Sequence, residues 1–539
     1  MAYVITQNCC KDASCVPVCP VDCIRPVGST DTEMLYIDPE SCIDCGACME
    51  ECPVGAIHYE DDLTAELEAY REINAAYFRQ HPLEPDAGPA RKPHAPVPAG
   101  SLRVAVVGAG PAACYAALEL LAVDGVEVDL FERLPTPFGL VRAGVAPDHQ
   151  HTKSVVKLFE RAFTHKRFGC HLNVEVGENF THADLMAHHH AVIYAVGASH
   201  SRQLGIPGEE LPGNHGAAEF VGWYNGHPDH AGREFDLSGD RAVIVGNGNV
   251  ALDAARILLM SPAQLAETDI AQHALDALGH SNIREVVIVA RRGPRAAAFS
   301  VGEFLALGHL DGIDVVIDGG DLDEDPDDDI ETAMKLDAAR THAARPVEPG
   351  NKRIVFKFLA TPTEVLGTDA VTGLRVTGTD DGVVEDIGTS LLLRSIGYHG
   401  SPLGGLEFDS AAGIVPNERG RVLDAQGRPV PGVYVTGWIK RGPRGVIGTN
   451  RTCAEETVDH LFEDFDAGVL GDDGTTDEPG KNTAGRDRLR ALLAERGLEP
   501  VDWAGWRGID AAERGRGAER SRPRVKFVEI SEMLSAARK

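Results

Sequence analysis

Apolar and polar positions along the chain predict two strand–turn–helix units. The first runs from the apolar residues 103–107 (RVAVV) through GAGPAA into a stretch with helical spacing that reaches Leu121. The second runs from 241–245 (RAVIV) through GNGNVA to a helical stretch that reaches Leu259. Short buried strands that lead through a glycine turn into a helix are typical of parallel sheets. The pattern therefore predicts an α/β fold with two Rossmann-like dinucleotide-binding domains.

The first glycine turn carries a complete dinucleotide-binding pattern. Gly108 permits the tight turn, Gly110 lets a pyrophosphate approach the backbone, and Ala113 lets the helix pack on the strand. Glu132 ends the next strand, where a carboxylate accepts ribose hydroxyl groups. A carboxylate at this position repels a 2′-phosphate, so we expect the first site to bind FAD.

The second glycine turn differs in the strand that follows it. Gly246, Gly248 and Ala251 form the turn, and the next strand ends in Arg291 and Arg292 with no acid. Guanidinium groups form paired hydrogen bonds with a 2′-phosphate. The alternative is a pair of solvated surface charges, but the position directly after a strand favours NADP(H) binding.

Two further apolar stretches return the chain to the first sheet. Residues 191–198 (AVIYAVGA) and 432–450 (GVYVTGWIKRGPRGVIGTN) predict strands, and the glycines after the second strand suit close approach to a flavin ring. We therefore predict an FAD domain split into 101–240 and 395–464, with an NADP domain inserted at 241–394.

The composition of the two remaining segments, 61–100 and 465–539, predicts their structure. Residues 61–100 contain a helical pattern at 63–80 and then a spacer at 81–100 with six prolines. Residues 465–539 are predicted to pack on the preceding domains as a flexible polar segment, a helix and a final strand at 522–530.

Charge and hydropathy narrow the class of protein. The 539-residue chain has a formal net charge of −31, no apolar run long enough to span a membrane and no signal-peptide pattern at its start. Residues 1–60 hold ten acidic residues against Lys11 and Arg25, which disfavours nucleic acid and favours partners with basic surfaces. We expect a cytoplasmic protein that binds neither a membrane nor nucleic acid.

Nine of the twelve cysteines lie in the first 52 residues. Cys42, Cys45, Cys48 and Cys52 have the C-x2-C-x2-C-x3-C-P spacing in which the fourth cysteine binds the other cluster of a two-cluster ferredoxin. Cys19, in CVPVCP, supplies the reciprocal ligand and completes a four-cysteine set for a [4Fe–4S] cluster. Disulfides suit secreted chains and zinc prefers two paired CxxC knuckles, so both fit this pattern less well.

The ligands of the second cluster are less defined. Cys9, Cys15 and Cys52 supply three thiolates, which suits [3Fe–4S], and the segment resembles seven-iron ferredoxins. The gap of five residues between Cys9 and Cys15 is shorter than in that family. Cys10 therefore remains an alternative to Cys9, and a second [4Fe–4S] cluster remains open. Cys23 is interpreted as a buried apolar thiol.

Residues 101–539 resemble adrenodoxin-reductase-type NADPH–ferredoxin reductases. The motifs that carry the resemblance are GAGPAA, LPTPFGLVRAGVAPDH (134–149), GNGNVALD, RRGP and GWIKRGPRGVIGTN. With the two-cluster α+β ferredoxin domain at 1–60, the whole chain resembles bacterial ferredoxin-fused NADPH–ferredoxin reductases. The resemblance implies NADPH as electron donor and a ferredoxin or a cytochrome P450 system as acceptor, and we expect a monomer.

The resemblance also implies the residues that contact the cofactors. The FAD contacts carry over to Ala112, Glu132, Leu140, Val176, Trp438, Gly445, Val446 and Ile447. The NADP contacts carry over to Arg202, Asn247, Gly248, Asn249, Val250, Arg291, Arg292, Glu303 and Gly445. The active-site histidine of the family corresponds to His149. The family often has a second glutamate three residues after Glu303, and Ala306 stands there instead.

Other interpretations of these residues fit the sequence less well. Taken alone, His149 and Trp438 would suit structural roles, and the triplet 188–190 (HHH) indicates a helix end rather than a metal site. A glutamate-synthase-small-subunit-like partner also pairs clusters with FAD and NADP, but the APDH and GWIKRGP motifs speak against it. Two intact nucleotide sites speak against a non-enzymatic redox sensor. The expected function is electron transfer from NADPH through FAD to the chain's own iron–sulfur clusters.

Overall fold

The computed structural model describes residues 2–26, 32–83, 94–177, 180–470 and 481–539. Residues 84–93 of the predicted spacer and 471–480 of the predicted polar segment lie outside these ranges. Among the described residues, no helix combines the length and apolar character needed to cross a bilayer.

The N-terminal segment is a small α+β unit. Strand Tyr3–Ile5 pairs antiparallel with Ile57–Tyr59, and Ile24–Arg25 pairs antiparallel with Tyr36–Ile37. Helix Ala47–Glu51 and the 3-10 turn Glu60–Asp62 complete the unit. The predicted α+β architecture of this segment is confirmed.

A helix covers this unit, as the spacing at 63–80 predicts, but it begins later, at Ala69, and ends at Gln80. It buries Tyr70, Ile73 and Tyr77 against the strands. Asn74 ties the helix to both strand pairs, since its Oδ1 accepts from the Ile5 and Ile37 amides at 3.2 and 2.9 Å. This buried amide satisfies backbone groups that the short strands leave without partners.

The first large sheet has seven strands. Their order across the sheet is Asn417–Glu418, Arg421–Leu423, Pro429–Val435, Ala191–Tyr194, Arg103–Val107, Glu127–Glu132 and Phe168–Leu172. The strands from Pro429–Val435 to Phe168–Leu172 are parallel. Its helices are Pro111–Leu121, Leu140–Ala143, Gln150–Lys153, Val156–Phe163, His182–His188, Trp438–Arg441 and Thr449–Asp466. The predicted return of residues 191–198 and 432–450 to this sheet is confirmed.

The histidine triplet lies at a helix end, as expected. Thr181 caps helix His182–His188, and its hydroxyl accepts from the Asp184 amide at 3.2 Å. His189 then lies 3.5 Å from a carboxylate oxygen of Asp129, and its role is structural.

The second large sheet has six parallel strands. Their order is Asn214–Gly216, Leu391–Arg394, Arg241–Val245, Glu285–Val289, Lys352–Lys357 and Ile313–Asp318. Its helices are Ala217–Asn225, Pro228–Ala231, Asn249–Leu259, Pro262–Ala266, Gln272–Leu278, Val301–Leu307 and Ile330–Ala343, with a 3-10 turn at Pro294–Ala296. Because its edge strand lies upstream of 241, the sheet takes in residues that the predicted boundary assigns to the first domain.

Two smaller sheets accompany the two large ones. Strands Ala360–Gly367, Val371–Gly378 and Val384–Gly388 form an antiparallel sheet that packs on the second large sheet. His200–Ser201 pairs with Tyr398–His399 where the chain passes between the two large sheets.

The C-terminal residues form three helices, Lys481–Glu495, Trp503–Ala518 and Ile530–Ala537. The strand predicted at 522–530 is wrong. Those residues pair with no strand in the described part of the chain and run along helix Trp503–Ala518 before the last helix begins, with the Val525 amide donating to the Glu513 carbonyl at 3.0 Å.

Replacing Glu513 with glutamine is expected to lower the free energy of unfolding by about 3–5 kcal/mol. The carboxylate has no exposed surface and pairs with Arg142 and Arg524. Neutralising it removes the carboxylate that pairs with the buried Arg142, while Arg524 keeps only Asp510. Denaturant unfolding followed by intrinsic fluorescence measures the change. Glu519→Gln, at an exposed position just beyond the same helix, is the control. Equal stabilities for the two variants would contradict the prediction.

Candidate functional site: two nucleotide turns and two cysteine sets

Four cysteines converge on one cavity in the N-terminal unit. Cys19, Cys42, Cys45 and Cys48 line one small cavity together with apolar side chains. Burial and the three neighbouring thiols raise the pKa of the Cys48 thiol to about 12. Such a set is held as thiolates only when a cationic centre compensates their charge, which is the role of bound iron. The residues present therefore fit an iron–sulfur cluster.

Cys9, Cys15 and Cys52 form a second, adjacent set. All three pack in the apolar cluster at the centre of the N-terminal unit. Cys9 and Cys52 also contact the core of the first large sheet, whereas Cys10 lies within that core, close to Tyr115, and does not belong to the central cluster of the N-terminal unit. Because only Cys9 packs with Cys15 and Cys52, the packing favours Cys9 over Cys10 as the ligand.

The two glycine turns have the same geometry. Gly108 and Gly246 adopt φ values of 104° and 108°, and a Cβ at either would lie within 2.6 Å of a carbonyl oxygen of the neighbouring strand's end. Gly110 and Gly248 cap the following helices, and a Cβ at either would meet no described atom within 4 Å. Each turn thus leaves open space at a helix N-terminus, where a pyrophosphate binds.

Glu132 closes one side of the first turn. Its carboxylate accepts from the Ala109 and Leu134 amides, each at 3.0 Å, and burial raises its pKa. These bonds hold the acid beside the glycine turn and leave lone pairs on both oxygens for hydroxyl donors. Val176 forms a one-residue bridge with Phe180, two residues after Val174, whose amide donates to the Glu132 carbonyl at 2.8 Å.

Two other predicted segments meet the first turn. A Cβ on Gly139, which precedes Leu140, would lie 2.9 Å from the Gly110 Cα, and Leu140 is 46% exposed. A Cβ on Gly437, which precedes Trp438, would lie 2.5 Å from the Cβ of Ala112. The close approaches bring Leu140, Ala112 and Trp438 around one space.

The buried indole N–H of Trp438 indicates that a ligand binds beside it. Its Nε1–H is buried and has no acceptor among the described residues. A buried donor without an acceptor is rare in a folded protein, so a ligand with acceptor atoms fits here. The turn Gly445, Val446 and Ile447 follows, and it leads directly into helix Thr449–Asp466.

The second turn is set by two asparagines. Asn247 Oδ1 accepts from the Ala298 amide at 3.4 Å, and Asn249 Oδ1 accepts from the Ser300 amide at 2.8 Å. Val250 packs on the domain core in the first turn of the helix. Among the other predicted contacts, Arg291 and Arg292 are exposed just beyond strand Glu285–Val289, and Arg202 lies at the crossing between the sheets, its Nε donating to the Tyr398 carbonyl at 3.2 Å.

His149 and Glu303, predicted separately, lie together in the structure. His149 Nε2 is 3.8 Å from Glu303 Oε2, and burial raises the pKa of Glu303. Arg256 Nη2 lies 2.8 Å from His149 Nε2 and 2.7 Å from Asp253 Oδ1. Burial pushes the pKa of Asp148 upward, but Arg256 and His149 together hold it below its usual range.

Arg256, Asp253 and Asp148 were not predicted as site residues. The available signal was their spacing: Asp253 ends the GNGNVALD motif, Arg256 follows three residues later on the same helix face, and Asp148 precedes His149 in APDH. Together these side chains form a network of alternating charge between the two nucleotide turns.

The N-terminal unit is seated on the first domain. The Gly448 amide donates to the Cys10 carbonyl at 2.7 Å, and Arg451 donates to the Asp12 carbonyl at 2.8 Å. On the other face, Asn249 Nδ2 donates to Glu33 Oε2 at 3.1 Å. The loop that carries Cys9 and Cys15 therefore contacts the turn that follows Gly445.

The chain is similar to known proteins. Residues 35–58 match the family model "4Fe-4S binding domain", and residues 102–295 match "Pyridine nucleotide-disulphide oxidoreductase". A probable ferredoxin/ferredoxin–NADP reductase of Mycobacterium tuberculosis is 49% identical over 559 residues, covering 100% of this chain and 95% of the relative. NADPH-ferredoxin reductase FprA of the same organism is 45% identical, covering 80% of this chain and 98% of the relative.

A solved structure agrees with the fold. The structure of Mycobacterium tuberculosis FprA in complex with NADPH has a TM-score of 0.76 and 43% identity, and it covers 81% of this chain and 100% of its own. The predicted resemblance is confirmed, and the chain belongs to the ferredoxin/ferredoxin–NADP reductase family.

Proposed function

We propose that this chain passes electrons from NADPH through FAD to its own iron–sulfur domain, and from there to ferredoxin-type acceptors. One observation carries the proposal: the loop of Cys9 and Cys15 is hydrogen-bonded to the turn at Gly448, next to the residues assigned to the flavin. A donor site, a flavin site and an electron carrier are thereby joined in one chain. When bound, FAD supplies the exchange between two-electron and one-electron transfer.

The residues around the first turn would hold FAD. Gly110 offers the helix N-terminus to the pyrophosphate, and Glu132 offers its carboxylate to the ribose. Trp438 Nε1 offers a buried donor. Ala112, Leu140, Val176 and the turn Gly445, Val446 and Ile447 complete the proposed contacts.

The residues around the second turn would hold NADPH. Asn247, Gly248, Asn249 and Val250 form the helix N-terminus, and Arg291 and Arg292 offer guanidinium groups to the 2′-phosphate. Arg202, Glu303 and Gly445 complete the proposed contacts.

Each single alanine variant of Arg291 and Arg292 is expected to raise the KM for NADPH about tenfold. A hydrogen bond to a charged group contributes about 1.5–3 kcal/mol, and NADH, which lacks the 2′-phosphate, loses nothing. Steady-state ferricyanide reduction with each nucleotide measures the effect. Arg284→Ala, at the opposite end of the same strand, is the control. An equal rise in KM for NADH would contradict the assignment.

His149 is proposed as the residue that orients groups near the flavin or relays protons there. Arg256 positions it, since the guanidinium contacts His149, Asp253 and Asp148 at once. Glu303 faces the same imidazole, so a proton on His149 would have a carboxylate partner in the network.

The iron–sulfur assignment is proposed residue by residue. Cys19, Cys42, Cys45 and Cys48 would hold a [4Fe–4S] cluster, and Cys9, Cys15 and Cys52 a second cluster of three or four irons. Because Cys9 and Cys15 lie on the flavin side, we place the second cluster first in the electron path.

The exit is proposed at the other cysteine set. Cys45 is exposed, Ile43 is 57% exposed and Met49 is 44% exposed beside it. An acidic surface around these apolar side chains suits a basic acceptor, either a ferredoxin or a cytochrome P450 system. We further propose a monomer in the cytoplasm, where thiol ligands stay reduced.

The proposed domain division is a ferredoxin at 1–60, a helix and linker at 61–100, FAD parts at 101–240 and 395–464, an NADP domain at 241–394 and an extension at 465–539. The strand Asn214–Gly216 extends the NADP sheet upstream of that range.

Anaerobic titration with NADPH tests the proposal. Visible absorbance follows the FAD, and low-temperature paramagnetic resonance follows the clusters. We expect both to be reduced within one chain at a rate independent of protein concentration. Reduced FAD beside clusters that stay oxidised, even with a mediator present, would contradict it.

A further inference from the structure

The two cysteine runs have one spacing. Cys42, Cys45, Cys48 and Cys52 follow C-x2-C-x2-C-x3-C-P. The upstream residues 9–20 follow the same spacing, C-x2-D-x2-C-x3-C-P, and Asp12 occupies the place of Cys45. The family model for a 4Fe-4S binding domain covers only the downstream run, at 35–58.

The backbone conformation around Asp12 is repeated at the corresponding residues around Cys45. Lys11 and Asp44, which precede Asp12 and Cys45, have φ values of 56° and 61°. Ala13 and Gly46, which follow them, have φ values of 60° and 74°. Residues other than glycine rarely adopt this left-handed region, so two matched occurrences indicate one loop conformation used twice.

Hydrogen bonds that follow these residues also occur at corresponding positions in the two runs. Val16 N donates to the Ala13 carbonyl at 3.1 Å, as Met49 N does to the Gly46 carbonyl at 3.0 Å. A sulfur then accepts in both runs: Cys19 Sγ from the Cys23 amide at 3.4 Å, and Cys52 Sγ from the Ala56 amide at 3.3 Å.

The environment of Asp12 differs from that of an ordinary surface acid. Asp12 is 5% exposed, beside the thiols of Cys9 and Cys15, and it accepts a hydrogen bond from the Ser14 hydroxyl. A buried carboxylate near thiolates is unfavourable unless cations lie close to it. Arg451, which donates to the Asp12 carbonyl, supplies one positive charge nearby, and an iron among the thiols would supply another. Carboxylate oxygen is an established ligand type for iron.

We propose that the Asp12 carboxylate is the fourth protein ligand of the cluster held by Cys9, Cys15 and Cys52. The inference rests on the proposed function in one respect, that these three cysteines hold a cluster. The cluster then contains four irons, one of which is bound through oxygen. Thiolate binds the iron of such clusters more strongly than a harder carboxylate does, so this iron is the exchangeable one.

Ferricyanide then oxidises the cluster by one electron and releases that iron. The Asp12–iron bond and the bonds from this iron to the cluster sulfides break, [4Fe–4S]2+ becomes [3Fe–4S]+ plus Fe2+, and the released electron reduces one ferricyanide. Fe2+ with a reductant reverses the step. The set with Cys45 has four thiolates and serves as the internal comparison.

Iron and sulfide analysis with paramagnetic resonance of the anaerobically isolated full chain tests the proposal. We expect about eight irons per chain, and about seven after mild ferricyanide treatment together with the signal of an oxidised three-iron cluster. Asp12→Ala should contain about seven irons as isolated and show that signal without treatment. Asp12→Cys should keep about eight and resist ferricyanide. Glu40→Ala, an exposed acid of the same unit, should behave as the wild type.

The iron contents of the wild type and of Asp12→Ala test separately the role of Asp12 and the existence of the second cluster. Seven irons in the wild type, or eight in Asp12→Ala, would overturn the role of Asp12 while leaving the electron path intact. About four irons in the wild type would overturn the second cluster itself, and with it the proposed path. FAD content checks the folding of each variant, and if Asp12→Ala does not accumulate, the response of wild type and Asp12→Cys to ferricyanide decides.

Discussion

Replacing Cys15 with serine is expected to lower NADPH-dependent reduction of a ferredoxin acceptor by about 100-fold or more. Even changes around metal ligands, rather than in them, cost about 10- to 100-fold in metal affinity or activity, and this change removes a ligand. Ferricyanide reduction should stay within about twofold, since that small oxidant takes electrons without the clusters. Cys15 is buried in the N-terminal unit, and the hydrogen bonds between its loop and the flavin turn are made by the carbonyls of Cys10 and Asp12, so FAD binding should be unaffected.

Comparing the reduction of ferredoxin with the reduction of ferricyanide shows whether a variant is impaired at the clusters or at the flavin. Cys23→Ser is the matched control, because Cys23 is equally buried and lies 3.5 Å from Cys19 Sγ without belonging to either proposed ligand set. It should keep both activities. Normal ferredoxin reduction by the Cys15 variant would contradict the order of the path, and loss of it in the Cys23 variant would contradict the ligand assignment.

Much of the fold was predictable because local patterns specify it. Gly108 and Gly246 follow apolar strands, and in both places the backbone adopts the left-handed conformation that the glycine pattern predicts. Cys19 also meets the run at 42–48 in one cavity, as the reciprocal spacing predicts. These features depend on a few neighbouring residues and on one rule for each motif.

Other features depend on contacts between distant segments. Strand Asn214–Gly216 has only three residues and no apolar run, and its sheet membership comes from pairing with Leu391–Arg394. Residues 522–530 have a strand-like composition, but the chain there packs along a helix instead. Such choices are decided by tertiary packing rather than by propensity.

Asp12 shows a third kind of limit. Cysteine spacing alone gives three ligands and a gap of five residues before Cys15. The matched left-handed residues at 11 and 44 and at 13 and 46 fix the register that places Asp12 opposite Cys45. The sequence shows the matched spacing of residues 9–20, but cysteine spacing alone passes over an aspartate, and the backbone adds that the two loops share one conformation.

Replacing Gly448 with alanine is expected to slow NADPH-dependent reduction of the clusters about tenfold to a hundredfold. Gly448 has an ordinary φ of −68°, so alanine costs its own backbone nothing. Its Cβ would, however, lie 1.9 Å from the Lys11 carbonyl oxygen and 2.3 Å from the Asp12 amide. Neither backbone atom can rotate away, so the loop of Cys9 and Cys15 must move off the turn. Overpacking costs about 1–3 kcal/mol, and about 1.4 kcal/mol is a factor of ten in the docked population.

Stopped-flow absorbance separates the two stages of reduction in this variant. Loss of FAD absorbance after NADPH addition should keep its wild-type rate, and the cluster signal should lag behind it. Gly515→Ala is the control, because a Cβ there meets no described atom within 4 Å. If both stages slow together, the alanine has disturbed the flavin turn itself. If neither slows, the contact between Gly448 and the cysteine loop does not lie on the path, because displacing it would then leave transfer unchanged.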